Sequence, residues 1–98
     1  MSDQIIARTS DLEWREVDDE VVLLDLRTQT YLALNRSGAW LWPLIVEGVE
    51  RGHLVEALIA GHNVDESVAV RDVDVLVDQL REAGLLQTGD SGAPSALQ

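Results

Sequence analysis

The chain contains no cysteine and no lysine, and its seven basic side chains are all arginine. They face 18 carboxylates, so 98 residues carry a formal net charge of −11. Without cysteine there is no disulfide framework and no thiolate chemistry. With so acidic a surface, phosphate backbones and anionic membranes are repelled, which argues against both as partners. No apolar run approaches the roughly 18 residues of a membrane span. Met1-Ser2-Asp3-Gln4-Ile5-Ile6 has no basic stretch ahead of an apolar one, so no secretory signal is read and a cytoplasmic protein is expected. The length suits one domain with one small core.

Signatures of catalysis are missing as well. There is no Gly-x-Ser-x-Gly elbow, and Gly48 and Gly52 lack the lysine and the strand context of a phosphate loop. His53 and His62 stand far apart with no acidic ligand at metal spacing. Asp18-Asp19-Glu20 reads as a solvated turn, because a Ca²⁺ loop needs more ligands at set spacing. Asp74 and Asp78 read as solubilising charge on a helix. The sequence therefore calls for no catalytic residue, no metal and no cofactor.

What is present begins with strands. Leu12-Glu13-Trp14-Arg15-Glu16-Val17 alternates, with Leu12, Trp14 and Glu16 on one side. After the acidic turn, residues 21–27 and 30–35 form a predicted hairpin rich in β-branched and large apolar residues. Period-2 spacing separates Val22, Leu24 and Leu26 from Val21, Leu23, Asp25 and Arg27. The more uniformly apolar sets, Val22/Leu24/Leu26 and Leu32/Leu34, are the expected core. Helical sequence follows the second hairpin strand at once, so no further strand is at hand to cover its far side. An uncovered strand is a template for another chain.

The period then changes. Ser37 is the expected N-cap of a first helix, Pro43 should kink it or delay its start, and Gly48 should end it. In it Trp42 is read as core and Trp40 as half exposed. A second helix is predicted from about Arg51 or Gly52 to Ala60, with Gly61 as terminator. The longest helix is predicted over Glu66 to Ala83. Ala69, Val73, Leu76, Val77, Leu80 and Ala83 make its core stripe, and Gly84 ends it. Beside that stripe runs a second one, Val68, Asp72, Val75 and Gln79, unusually apolar for a solvent face. The chain divides into an N-terminal arm or short strand (1–10), a domain (11–86) and a flexible tail (87–98). The fold class is α+β: a three-stranded antiparallel sheet followed by a three-helix, winged-helix-like unit.

Several of these pieces together resemble one family. They are Val22-Leu23-Leu24-Asp25, Tyr31-Leu32-Ala33-Leu34-Asn35, Ser37-Gly38-Ala39 with Trp42, and then Asp72-Val73 with Leu76, Leu80 and Gly84-Leu85. Over about residues 12–86 the chain resembles the PqqD-like recognition elements, which bind precursors of ribosomally made, modified peptides (RiPPs). Within that family it is most similar to the stand-alone proteins of lasso peptide biosynthesis. The proline-glutamate-glycine stretch of the pyrroloquinoline quinone branch is absent from the hairpin, and Pro43 departs from the family's uninterrupted helix. The resemblance implies that a precursor's leader segment adds a strand beside the last strand and lies against the last helix. Carried onto this chain, the leader would pair with the backbone of Thr30, Tyr31, Leu32, Ala33 and Leu34. Its side chains would enter a groove lined by Tyr31, Ala33, Asp72, Val75, Leu76 and Gln79. The implied partners are the leader peptide and a cysteine protease-like leader peptidase, with a cyclase as a further candidate, and neither nucleic acid nor membrane.

Other readings stay open from sequence. The second stripe of the last helix would be covered if the chain's own N-terminal arm lay on it. A winged-helix regulator would use Glu66–Ala83 as its recognition helix, although only Arg71 and Arg81 are basic there. A peptide chaperone of another peptide-modifying pathway, or an enzyme using Asp72 or His53, would be the remaining alternatives.

Overall fold

Three strands form the main sheet in the computed structural model, which describes residues 4–87. After a two-residue β1 (Gln4–Ile5) come β2 (Leu12–Val17), β3 (Glu20–Asp25) and β4 (Thr30–Leu34). They pair antiparallel in the order β2-β3-β4. Then follow α1 (Arg36–Glu47), a two-residue β5 (Val49–Glu50), α2 (Arg51–His62) and α3 (Glu66–Glu82). The α+β class and the sheet-then-helices order match the sequence reading. The tail expected over residues 87–98 lies, beyond Gln87, outside the described residues.

The phase of β3 is opposite to the one expected. Val21 and Leu23 are buried, while Val22 and Leu24 are only half-buried and Leu26 is exposed. The buried set contains Asp25, which had seemed to disqualify it. Asp25 is 5% exposed and is held by two donors. The Arg8 Nη2 donates to its Oδ2 at 2.9 Å, and the Arg27 backbone N–H donates to its Oδ1 at 3.0 Å. A buried carboxylate is tolerated when it is paired and hydrogen-bonded in this way. Leu26 falls in the hairpin turn and has no strand face to share.

Arg8 comes from an arm that the core absorbs. Ile5 and Ala7 are buried, and β1 pairs antiparallel with β5. The arm also joins the segment after α3: the Arg8 N–H donates to the Leu85 carbonyl at 2.7 Å and the Gln87 N–H to the Ile6 carbonyl at 2.8 Å. From Gln4 on, the arm therefore runs along β5 and residues 85–87, and none of its described residues pairs with β4. This removes the alternative in which it occupies the second stripe of the last helix.

Helix ends show three more differences. Asn35, not Ser37, caps α1: its Oδ1 accepts from the Gly38 N–H at 3.0 Å. This side chain satisfies one of the donors left over at a helix start, so the helix begins at Arg36. There is no late start, and α1 continues through Pro43 to Glu47. Gly61 does not end α2, which runs to His62 and stops at Asn63 in the left-handed region (φ 54°). Asparagine reaches that conformation more readily than most residues. The last helix does close on Gly84 (φ 74°), but Ala83 is exposed and leaves the core stripe.

Gly38 is needed where it stands. A Cβ there would lie 3.1 Å from the Leu34 Cβ and 3.2 Å from the Leu76 Cδ1. The bare backbone lets the start of α1 sit under the junction of β4 and α3. Trp42 is 1% exposed and fills the core beside it. Its ring meets Trp14 edge-on, with centroids 5.4 Å apart at 82°, a favourable arrangement for an aromatic pair.

Two outcomes follow from this packing. Trp42→Ala should cost about 3–5 kcal/mol, as large-to-small core changes of aromatics do, measured by urea unfolding. Asp25 gives a pH signature. Burial pushes its carboxyl upward, but the Arg27 N–H and the Arg8 guanidinium outweigh burial and bring it below the ordinary value of 3.8. A lowered folded value means the stabilisation is complete above 3.8 and is lost as pH falls through the folded value. The melting temperature of Asp25→Asn should therefore lie below that of the wild type at neutral pH, and the gap should narrow once pH falls below 3.8.

Candidate peptide-binding site

The site is built from the edge of β4 and the flank of α3. On one side β4 pairs with β3, from Val21 opposite Leu34 to Asp25 opposite Thr30. On its other side no strand pairs with it among the described residues. Thus the edge keeps a row of unpaired backbone donors and acceptors.

Helix α3 runs next to this edge. Near its middle, Leu76 reaches Gly38 from one side as Leu34 does from β4: a Cβ on Gly38 would lie 3.2 Å from the Leu76 Cδ1 and 3.1 Å from the Leu34 Cβ. Past its end, Ala83 and Leu85 join Thr30, Tyr31 and Leu32 around a cavity of about 220 Å³. The C-terminal half of α3 and strand β4 therefore lie side by side in opposite directions. Leu76 is 5% exposed and belongs to the core. Asp72 and Gln79 follow at helical spacing on the same flank, one half-buried and the other exposed. Val75 belongs to the same stripe and is 53% exposed. An exposed valine next to an open strand edge is an apolar surface that the chain itself does not cover.

The expected site residues thus fall into two groups. Thr30, Leu32 and Leu34 share the helix side of the sheet with Asp25, Leu23 and Val21, since cross-strand partners point the same way. Tyr31 and Ala33 lie opposite Leu24 and Val22 and carry their side chains to the outer face. Tyr31 is 73% exposed there. Tyr31 and Ala33 thus look away from the helices, while Asp72, Val75, Leu76 and Gln79 share one flank of α3 by helical spacing. The family resemblance implies one groove for both sets, but Tyr31 and Ala33 carry their side chains to the face opposite Leu32 and Leu34. Ala83 and Leu85, which line the cavity beside Thr30, Tyr31 and Leu32, are not among the site residues expected from the sequence.

The site has the character of a recognition surface. No group of three or more His, Cys, Asp or Glu residues suited to a metal occurs among the described residues. Among the described residues no helix is long and apolar enough to cross a membrane. On α3, Asp74 is tied to Arg51 of α2 at 2.6 Å and Asp78 to Arg81 at 3.4 Å, which keeps these charges off the groove.

A small α+β unit with an open sheet edge against the last of three helices defines a class of strand-accepting domains. The chain belongs to the family of coenzyme PQQ synthesis protein D (PqqD), which matches it over residues 20–86. Two solved structures are similar over nearly the whole chain. One is TbiB1 in complex with the TbiA(beta) leader peptide, 31% identical, with a TM-score of 0.74, covering 92% of this chain and 100% of that one. The other is lasso peptide synthetase B1 complexed with the leader peptide, 26% identical, with a TM-score of 0.71, covering 88% of this chain and 99% of that one. Comparison with curated proteins gives no match. The family resemblance read from the sequence is therefore upheld.

The open edge has a direct consequence for amide exchange. In the free protein, amides of Thr30–Leu34 should alternate between slow exchange, where they bond to β3, and fast exchange, where they face the gap. Hydrogen-exchange NMR reads this pattern residue by residue, and uniform protection would mean that the edge is covered.

Proposed function

We propose that this protein is a non-catalytic module that captures the leader segment of a ribosomal precursor peptide by strand addition and presents it to a leader peptidase in lasso peptide maturation. The observation that carries this reading is the unpaired β4 edge beside the partly apolar flank of α3. The structural neighbours support it, because both are complexes with leader peptides. In this reading the leader pairs with the backbone of Thr30–Leu34 in the cytoplasm, where its precursor is made. Alternate leader side chains pack against Leu76, Val75, Asp72 and Gln79, and those between them emerge beside Tyr31 and Ala33 on the outer face.

The energetics suit a reversible carrier. About four backbone hydrogen bonds at roughly 0.5–1.5 kcal/mol each supply a few kcal/mol. Two or three buried leader side chains add roughly 1.5–3 kcal/mol each. Ordering a disordered leader costs back about 2–5 kcal/mol. What remains corresponds to an affinity between micromolar and nanomolar. Such a module works without chemistry of its own: it raises the local concentration of the core peptide at the enzyme that processes it. A cyclase is a further candidate recipient.

Arg71 and Arg81 of α3 share that helix with Glu66, Asp72, Asp74, Asp78 and Glu82, which counts against reading DNA through it. A tight sequence-specific complex in a low-salt gel shift would nevertheless replace the present reading.

Titration of a fluorescently labelled leader peptide of the cognate precursor tests the proposal. Saturable binding at or below micromolar concentration is expected. Val75→Asp should weaken it at least tenfold, or about 1.4 kcal/mol, with an unchanged circular dichroism melt because Val75 is exposed. The reading fails if the wild type, alone or with its peptidase, takes up no leader at tens of micromolar.

A further inference from the structure

The sheet has a second open edge, and a cleft lies beside it. Strand β2 pairs only with β3 among the described residues. Between β2 and α1 lie two cavities of about 340 and 200 Å³ that share Glu16, Val21 and Ala39. Neither borders β4, so the leader groove does not use them.

Four features of this cleft point to the same kind of occupant. Its walls carry Glu16, Asp18, Asp19, Glu20 and Glu47 against one arginine, Arg36. Trp40 is 51% exposed yet fixed in place. Its Nε1–H donates to the Ala57 carbonyl at 3.1 Å, and its ring lies 5.5 Å from that of His62. A methyl group on Gly61 would run into the indole, so α2 keeps a bare position where Trp40 rests. A rigid indole standing half in water beside carboxylates is a platform for a cation. Pro43 supplies the third feature: it has no N–H, so the Ala39 carbonyl lacks its usual helical donor, and both residues line the cleft. Trp42 supplies the fourth. It lines the same cavity, and its buried indole N–H has no acceptor.

We propose that this cleft docks a basic, extended segment of the protein that receives the loaded module. An arginine- or lysine-bearing strand matches all four features. Its cationic side chains meet the carboxylates and the Trp40 face, and its backbone offers both donors and acceptors along β2. A second copy of this chain does not fit, since two molecules of net charge −11 repel each other. Residues 1–3 and 88–98 contain no arginine or lysine that would supply the cation. The identity of the partner as the recipient of the leader rests on the function proposed above; the chemistry of the cleft does not. Leader and recipient would hold opposite edges of one sheet, so both can be bound at once.

The test uses the full chain and a fluorescein-labelled (Arg-Val)4 octapeptide, followed by anisotropy at low salt with and without the leader peptide. Saturable binding is expected in both cases, and none by a (Glu-Val)4 peptide. Trp40→Ala and the pair Asp19→Asn with Glu20→Gln should each weaken (Arg-Val)4 at least about fivefold while leader affinity stays within about twofold. Absence of (Arg-Val)4 binding overturns the proposal. So does binding that Trp40→Ala leaves unchanged, which is general attraction to an acidic surface. If Trp40→Ala does not fold, the charge pair decides. A loss no greater than that of the remote pair Glu56→Gln with Glu82→Gln overturns the proposal too. A chain that binds (Arg-Val)4 but no leader keeps the cleft and loses the leader reading, and the converse loses only the cleft.

Discussion

Arg8 holds three parts of the chain at one point. Its Nη2 donates to Asp25 on β3 at 2.9 Å, its Nε to the Gly84 carbonyl beyond α3 at 3.0 Å, and its Nη1 to the Ser10 carbonyl at 2.6 Å. A guanidinium presents several donors in a fixed fork, so one side chain can orient several partners at once. Pairing with Arg8 is what allows Asp25 to be buried, and burying Asp25 fixes the side of β3 that meets the helices. From that choice follow the burial of Val21 and Leu23, the inward direction of Leu32 and Leu34, and the approach of α3 to β4.

The same constraint arranges the sheet's two edges differently. At β4, the neighbouring helix α3 has a partly apolar flank with Val75 exposed. At β2, the neighbouring helix α1 carries Pro43, and the cleft is acidic. Strand addition needs a backbone row with pockets beside it. Each edge supplies a row, but with pockets of different chemistry. In the proposed function, a module that captures a leader and hands it to a second protein is served by two such unlike edges.

Much of this was legible along the chain, and the failures have a common cause. The strand order, the three helices, the Gly48 and Gly84 terminators and the buried Trp42 all follow from local period and turn chemistry. The phase of β3 did not, because Asp25 counts as polar until its partner is known, and Arg8 is remote in sequence. Asn35 was passed over as a cap in favour of Ser37, since both are good caps and only geometry shows which oxygen reaches an N–H. Gly61 was taken as a stop when its bareness in fact makes room for Trp40 from another helix. In each instance a residue's role was set by a neighbour that sequence distance concealed.

By itself, the sequence determined the α+β class, the absence of thiolate chemistry, the acidic surface and the family to which the chain belongs. These depend on composition, short-range period and motif spacing, all of which are properties of neighbouring residues. Only the tertiary structure decided which face of β3 is buried, where the N-terminal arm docks, and that Asn35 rather than Ser37 caps the first helix. Those outcomes depend on pairing between distant residues, and a period-2 strand offers two faces that remain equivalent until such a pair chooses one.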